Sequence, residues 1–518
     1  MEIVDNRALL VNTKYPDKIT DAIEKSAVVD IIGDIHQVLV HWDLHEATTL
    51  ATMVKNVPSP VKKEYNYPGR HKPFAHQETT TEFLTIRKKA FCFNEQGLGK
   101  TASAIWAADY LMLKKLVRRV LVICPMSIMK AAWQADLFTF AVHRSCDIAY
   151  GDRDTRRRII RGNAEFVIIN PDGVDIVKDA VIEDGRFDLI IVDEATAYKN
   201  IMTKRWKALR KLVGPNTRLW MMTGTPAAQS PVDAYGLAKL VNPDGIPKFL
   251  GQFRDSVLAK VSQFRWVPRP NAERIVHSAL QPAIRFEKKD CLDLPPVLSS
   301  WREAPLTAQQ MRYYKQLKKD MAISADGEEV TAANAAVNMN KLLQISCGAV
   351  YTDEQGVLEF DVSNRLAVVE EVIRESSYKV LVFVPFSHTL SLLRDHLSAN
   401  DITCDIVNGS VSMNKRSEIF RRFQTEANPR VLLMQPQAVA HGLTLTAANV
   451  IVWYAPVTSV ETYLQANARI DRPGQKNDMT VVHIYGSEVE QRVYSMLRNN
   501  INNHGKIIDL YRDEIKST

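Results

Sequence analysis

FCFNEQGLGKTASA, residues 91–104, is the stretch from which the rest of the chain is read. Phe91–Phe93 make a short apolar run suited to a buried strand. Gly97 and Gly99 allow a tight bend, and the Ala-rich residues after Lys100 are helix formers. A strand that bends through glycines into a helix offers backbone N–H groups and a helix N-terminus to an anion, so the stretch reads as a nucleotide phosphate loop. Lys100 is then set to reach the β- and γ-phosphates, with the Thr101 hydroxyl on Mg²⁺. The full pattern has Gly at the position of Asn94, which is the one departure.

Two further segments extend this reading. In RFDLIIVDEATAYKN, residues 186–200, four apolar residues are followed at once by two carboxylates, as expected of a buried parallel strand whose C-terminal edge opens on a ligand crevice. Asp193 is the candidate for holding Mg²⁺, and Glu194 for accepting a proton from the attacking water. In LWMMTGTPAAQSPVDAYG, residues 219–236, another apolar strand runs into Thr223, Gly224, Thr225 and Pro226. Thr223 and Thr225 are small hydroxyl residues able to sense nucleotide state and relay it to neighbouring loops.

The chain has 518 residues, beyond the size at which a single core usually stops growing. Residues 1–65 mix short β-rich pieces with a helical candidate from Asp17 to Ser26 and close on a Pro- and Lys-rich run, which suggests a small N-terminal α/β domain. Residues 66–250 alternate strand-like runs (FCFN, VLVIC, EFVIIN, LIIVDE, LWMMTG) with helical stretches, the pattern of a parallel sheet covered on both faces. Residues 251–360 read as a helical linker or insertion with no convincing strand. From 361 to 518 the alternation returns with VLVFVPF, CDIVNG, RVLLMQ, VIVWYAP and MTVVHIYG. The fold class is therefore α/β, with two parallel-sheet domains in tandem.

Lys and Arg number 66 against 59 Asp and Glu, a formal charge of only +7. The basic residues gather in LKKLVRRV, RDTRRRIIR, KRWKALRK and KRSEIFRR, which suits a polyanionic partner. The six cysteines form no Cys-x-x-Cys pair, and no apolar run approaches the length of a membrane span. Metal-free thiols, no membrane association and a cytoplasmic location are expected. The N-terminal histidines show no metal-ligand spacing and are assigned ordinary structural or surface roles.

The order of these segments resembles helicase superfamily two and, within it, the Swi/Snf-type ATPases that translocate on double-stranded DNA, in a compact form without large accessory domains. HKPFAHQ (71–77), NEQGLGKT, VICPMSIMKAAWQADL (122–137), VDEAT and MTGTPAAQSP carry the likeness in the first half. IRFEKKDCLDLPPV (284–297), MNKLLQISCG (339–348) and AHGLTLTAANVIVWYAPVTSVETYLQANARIDRPGQ (440–475) carry it in the second. The family often has paired arginines where Arg285 and Phe286 stand, and His where Asp471 precedes Arg472.

The resemblance implies two tandem RecA-like motor domains that use ATP and Mg²⁺. It implies that Gln77 contacts adenine and that Pro125, Ser127 and Trp133 lie near the DNA track. It further implies that Arg469 and Arg472, assisted by Gln465, act on the phosphates held by the first domain. The spacing suggests that both arginines share one face of a helix ended by Pro473 and Gly474. Gly442 and Thr444 are candidate backbone contacts to nucleic acid. The expected partner is double-stranded DNA, forked or branched forms included, bound by a monomer without marked sequence preference. A strand-separating DNA or RNA helicase and a non-catalytic ATP-gated clamp stay open as alternatives.

Overall fold

The computed structural model describes residues 1–69, 71–224, 230–262, 266–325, 332–351, 356–438 and 444–498. These fall into two compact units, one gathering residues 1–224 with Ala234–Leu250 and Arg274–Cys291, the other Gly251–Glu273 with residues 292–498.

The first unit opens with an antiparallel sheet of β1 (Glu2–Val4), β2 (Ala8–Thr13), β3 (Ser26–Ile32) and β4 (Ile35–His41), in the order β1-β2-β4-β3. Alternate residues Leu9, Val11, Val38 and Val40 are buried, as a one-sided sheet requires. The helix expected from Asp17 to Ser26 is confined to Asp17–Thr20. The β-branched run that begins at Ser26 pairs with β4 instead. The apolar side chains of this module are continuous with those behind the phosphate loop. Tyr65 donates its hydroxyl to Asp109 at 2.6 Å and Tyr110 donates to Glu64 at 2.7 Å, so the module grips the helix Lys100–Leu113 directly.

Six parallel strands follow: β5 (Lys89–Cys92), β6 (Arg119–Ile123), β7 (Cys146–Ile148), β8 (Phe166–Ile169), β9 (Phe187–Asp193) and β10 (Arg218–Met222). The five strands read from the sequence are all here. The edge strand β7 has only three residues and no apolar run to announce it.

The expectation that residues 251–360 lack strands is overturned. The region holds a hairpin of β11 (Leu258–Lys260) and β12 (Trp266–Pro268), then β13 (Ala283–Ile284), β14 (Val297–Glu303), and a second hairpin of β15 (Ala349–Tyr351) and β16 (Val357–Glu359). These pieces are short or exposed, so no hydrophobic period marks them, and two of them take their pairing from distant strands. β13 adds to β5 and completes a seven-stranded sheet in the order β13-β5-β10-β9-β6-β8-β7. The helices Ala308–Ala325 and Ala332–Cys347 account for the helical character that the sequence does show.

The second unit is built on β17 (Lys379–Phe383), β18 (Cys404–Val407), β19 (Val431–Met434), β20 (Ala448–Trp453) and β21 (Met479–Tyr485). With β14 they form a parallel sheet in the order β14-β21-β20-β17-β19-β18. The two units are thus tandem RecA-like α/β domains. Among the described residues, no helix is long and apolar enough to cross a membrane.

Two buried polar groups pin the second sheet to its helices. Arg365 and Glu490 meet through two 2.8 Å hydrogen bonds, and Arg365 also donates to the Tyr454 carbonyl at 2.8 Å, so neither charge is buried alone. His483, fully buried on β21, accepts from the Tyr463 hydroxyl at 2.8 Å and sits 3.3 Å from the Ser300 carbonyl on β14. Burial pushes its pKa down to about 4, below the ordinary 6.5. The unfolded chain therefore binds this proton more readily. The stabilisation is complete above about pH 6.5 and is lost as pH falls towards 4, by an amount on the order of 3 kcal/mol. Urea unfolding between pH 7 and pH 4 will show this loss, and His483→Phe will flatten the dependence over that window.

Candidate nucleotide site

The strand β5 leads into the loop with its backbone already paired. The amides of Phe91, Phe93 and Glu95 donate to the carbonyls of Pro282, Ile284 and Phe286 at 2.8–3.0 Å, so the ladder with β13 continues into the loop itself. Asn94 completes the join. Its buried side chain donates from Nδ2 to the Thr80 hydroxyl at 2.8 Å and accepts the Phe286 amide on Oδ1 at 3.0 Å. The residue that departs from the glycine pattern is thus a two-way tether between the helix Ala75–Thr85 and the segment after β13.

Gly97 and Gly99 have φ of +86° and +72°, the left-handed region where glycine is favoured. At Gly99 a Cβ would also come within 2.1 Å of the Gln77 amide nitrogen. Gln77 is buried. It accepts the Phe74 amide at 3.0 Å and donates to the Leu98 carbonyl at 3.3 Å. His76 reaches the same carbonyl at 3.0 Å, and burial lowers its pKa, so it is a neutral donor at neutral pH. The helix starts at Lys100, whose ammonium folds back on the carbonyls of Asn94 (2.8 Å) and Glu95 (3.2 Å), and Thr101 lies in its first turn, half-buried.

Met222 at the end of β10 stands in register with Cys92 of β5 on one side and Asp193 of β9 on the other. The loop and the acidic pair therefore emerge at the same C-terminal sheet edge, flanking β10. Asp193 accepts the Trp133 indole N–H on Oδ2 at 2.9 Å and the Glu194 amide on Oδ1 at 3.0 Å, while Glu194 has a left-handed φ of +52°. Thr223, fully buried, donates its amide to the Cys92 carbonyl at 3.1 Å. Thr225 lies outside the described residues. Thr101 and Asp193 offer the hard oxygen donors that suit Mg²⁺, and the loop amides at a helix start suit phosphate, so the residues fit a nucleotide with its cation.

Pro125 and Ser127, both half-buried, follow β6, which is the neighbour of β9. In the second unit the expected arginine-bearing helix needs correction. The helix is Val460–Asn467, so only Gln465 of the three residues lies on it, buried and donating to Glu461 at 3.3 Å. Arg469 and Arg472 follow in a turn. Arg472 Nε donates to the Ala468 carbonyl at 2.8 Å, the Arg469 carbonyl accepts the Leu445 amide, and Gly474 takes φ +99°. Buried Gln475 locks that turn by donating to the Ala448 carbonyl at 2.9 Å, and an i, i+3 spacing survives without a helix. Arg469 is buried and Arg472 half-buried, the latter with Nη1 at 3.5 Å from the hydroxyl of exposed Thr444. Gly442 lies outside the described residues.

Several arginines of the basic clusters have partners within the fold. Arg118 pairs with Asp188 at 2.7 Å, and Arg119 and Arg186 both bind Asp184. Arg156 is buried on Asn170, Arg161 pairs with Glu183, Arg205 with Asp172, and Arg422 with Asp405. In KRWKALRK, Lys204, Lys207, Arg210 and Lys211 are exposed. Among the N-terminal histidines, His41 joins Asp43 and Glu46 with one ligand atom each within 4.8 Å of the others. Lys25, at 3.7 Å from Glu46, supplies a cation of the protein's own.

The SNF2-related domain family matches residues 76–350, and the helicase conserved C-terminal domain matches residues 364–474. The chain belongs to the SNF2-related family. Chromodomain-helicase-DNA-binding protein 1-like of Mus musculus is 26% identical over 424 residues, covering 77% of this SNF2-related chain and 46% of its own length. Nuclear protein STH1/NPS1 of Saccharomyces cerevisiae is 24% identical over 460 residues, covering 82% and 34%. The chain spans less than half the length of these curated relatives. The Sulfolobus solfataricus SWI2/SNF2 ATPase core in complex with dsDNA aligns over 84% of this chain and 92% of its own, at 20% identity and a TM-score of 0.42.

Sequence reasoning passes over the tether of Asn94 and the bond from Trp133 to Asp193. The first has a sequence signal, since an amide replaces glycine at the loop's first position. The second spans 60 residues and has none. Asn94→Ala will leave the buried Thr80 hydroxyl and the part-buried Phe286 amide without this partner, and urea unfolding will show a loss of about 1–3 kcal/mol.

Proposed function

We propose that this chain hydrolyses ATP with Mg²⁺ and couples the hydrolysis to translocation along, or remodelling of, double-stranded DNA without marked sequence preference. The observation that carries the reading is the convergence of Lys100, Thr101, Asp193, Glu194 and Thr223 on one edge of the first parallel sheet. Family membership supports the same reading, as do the DNA-binding and helicase terms in the mouse relative's name.

Lys100 leaves its loop carbonyls for the phosphates, and the amides at the helix start orient them. Gln77, already packed on the loop, lies beside the adenine. Thr101 and Asp193 hold Mg²⁺, which when bound neutralises phosphate charge. Glu194 takes the proton of the attacking water. Arg469 and Arg472, assisted by Gln465, stabilise the charge that develops on the transferred phosphoryl group. Thr223 and Thr225 relay nucleotide state. Pro125 and Ser127 in the first unit, and Gly442 and Thr444 in the second, contact the nucleic-acid backbone, which carries no base information.

The test is steady-state ATP hydrolysis without nucleic acid and with blunt duplex, single strand, forked DNA or RNA, together with displacement of a triplex-forming strand. Stimulation by blunt duplex and triplex displacement without strand separation are expected. Unwinding of a fork would favour a strand-separating helicase, and binding without turnover a clamp. Glu194→Gln will retain nucleotide binding and lose about a hundredfold or more in turnover. Arg472→Ala will bind nucleotide normally but show no duplex-stimulated hydrolysis, and a wild-type stimulated rate in that variant would remove the arginine from the reaction.

A further inference from the structure

The segment after β6 has an unusual backbone. A 3₁₀ turn, Met126–Ile128, runs into a π-helical turn, Met129–Gln134, before an α-helix resumes at Ala135. π-Turns are rare, and they are frequent at functional sites. Here the turn gives the segment two faces. Met126 and Lys130 are exposed and Ser127 is half-buried on the outer face, while Ile128, Met129 and Trp133 are buried on the inner one.

Trp133 is fully buried, and its indole nitrogen is 2.9 Å from Asp193 Oδ2. An indole offers one donor and no acceptor, so this bond has a single sense. A packed Trp ring also has little rotational freedom, so a shift of the π-turn moves the donor with it. The other carboxylate oxygen of Asp193 accepts the amide of Glu194, a residue held at φ +52°. Trp133 therefore touches the orientation of both acidic residues: Asp193 directly, and Glu194 through the carboxylate that fixes its backbone.

We propose that Trp133 is a positioning residue that makes the carboxylate of Asp193 answer to nucleic acid engaged on the outer face of residues 125–130. The proposal rests on the reading of Asp193 as the Mg²⁺ ligand and of Pro125 and Ser127 as backbone contacts. Duplex phosphates pressing on the outer face displace the turn. The indole then redirects Oδ2, and hydrolysis is faster only when the track is occupied. This assigns stimulation by nucleic acid a physical path within the first unit, of one hydrogen bond and one packed ring. Groups that fix a metal ligand's orientation through its second oxygen typically change metal affinity or activity by about 10–100-fold when removed.

The experiment compares the full chain with Trp133→Phe, which keeps an aromatic ring in the slot and removes the donor, and with Ile128→Val, which loosens packing in the same segment and keeps the indole. Three quantities are read: duplex affinity by fluorescence anisotropy, the Mg²⁺ midpoint for binding a fluorescent ATP analogue without turnover, and the ratio of duplex-stimulated to unstimulated hydrolysis. Trp133→Phe is expected to raise the Mg²⁺ midpoint about tenfold and to lower the stimulation ratio by a similar factor, with duplex affinity preserved. Ile128→Val is expected to change neither.

A Trp133→Phe protein with wild-type midpoint and ratio overturns the positioning role while leaving the proposed function standing. Equal effects in both variants also overturn it, in favour of packing alone. If the wild-type chain itself binds nucleotide without regard to Mg²⁺, or is not stimulated by duplex, the functional reading fails and takes this proposal with it.

Discussion

The buried amide of Asn94 is the constraint on which the first unit turns. Its two side-chain bonds fix the end of β5 to Thr80 on one side and to the Phe286 backbone on the other. Those bonds extend a ladder in which every second amide from Phe91 to Glu95 is already engaged by the segment after Gln281. The strand is thus held rigid up to the residue where the loop departs. The amides from Gly97 onward, at the bend and the helix start, are the ones an anion meets. Replacing the usual glycine by asparagine trades backbone freedom for two directed hydrogen bonds, and it commits the loop to a strand that lies almost 200 residues away in sequence.

Rigidity on the strand side has a counterpart behind the helix. Asp109, buried on the helix Lys100–Leu113, accepts from Tyr65 and from Arg144 Nε at 2.6 Å each, and lies 2.9 Å from His143. Burial beside this carboxylate raises the Tyr65 hydroxyl above its ordinary range, which keeps its proton on the bond to Asp109. The charge of Asp109 is matched by Arg144, so the network costs less than an isolated buried carboxylate would. The antiparallel N-terminal module therefore fixes the far side of the helix Lys100–Leu113, which begins at the glycine-lysine loop.

What could be read from sequence follows from the range of the forces involved. The buried parallel strands were legible because both faces are covered and the apolar run is continuous, as in Leu189–Val192. The glycine-lysine loop and the Asp193–Glu194 pair were legible because their chemistry is encoded in adjacent residues. β13 was not, since two residues have no period, and its existence depends on Cys92 and its neighbours. β14 is a mostly exposed edge whose register is supplied by β21. The helical reading of Arg469 and Arg472 failed for a related reason. A three-residue spacing is shared by helices and by turns, and the bond of Gln475 to the Ala448 carbonyl that helps to decide between them comes from tertiary folding. The pairing of some cluster residues was not legible either, because partners such as Asp188 for Arg118 and Asp184 for Arg119 lie far along the chain.

The same architecture occurs twice in the chain, and among the described residues the glycine bend that runs into a lysine stands in the first copy. In the second unit the strand β17 runs into VPFSHTL, and the helix that follows begins at Ser387 with no glycine bend and no lysine. Among the described residues, three polar groups of that edge are bonded together. Gln435, after β19, donates to the Ser387 hydroxyl at 2.7 Å and accepts the Gly409 amide at 3.3 Å, joining three consecutive strand ends. A helix start whose surroundings are already bonded to a neutral amide has less to gain from a phosphate than one that opens with Lys100. In the second unit the turn after Asn467 is held by the bond of the Arg469 amide to the Ala466 carbonyl, of the Leu445 amide to the Arg469 carbonyl, and of Arg472 Nε to the Ala468 carbonyl. The two units thus share one kind of sheet and differ in the side chains at its edge, with Lys100 after a glycine bend in the first and Ser387 bonded to Gln435 in the second.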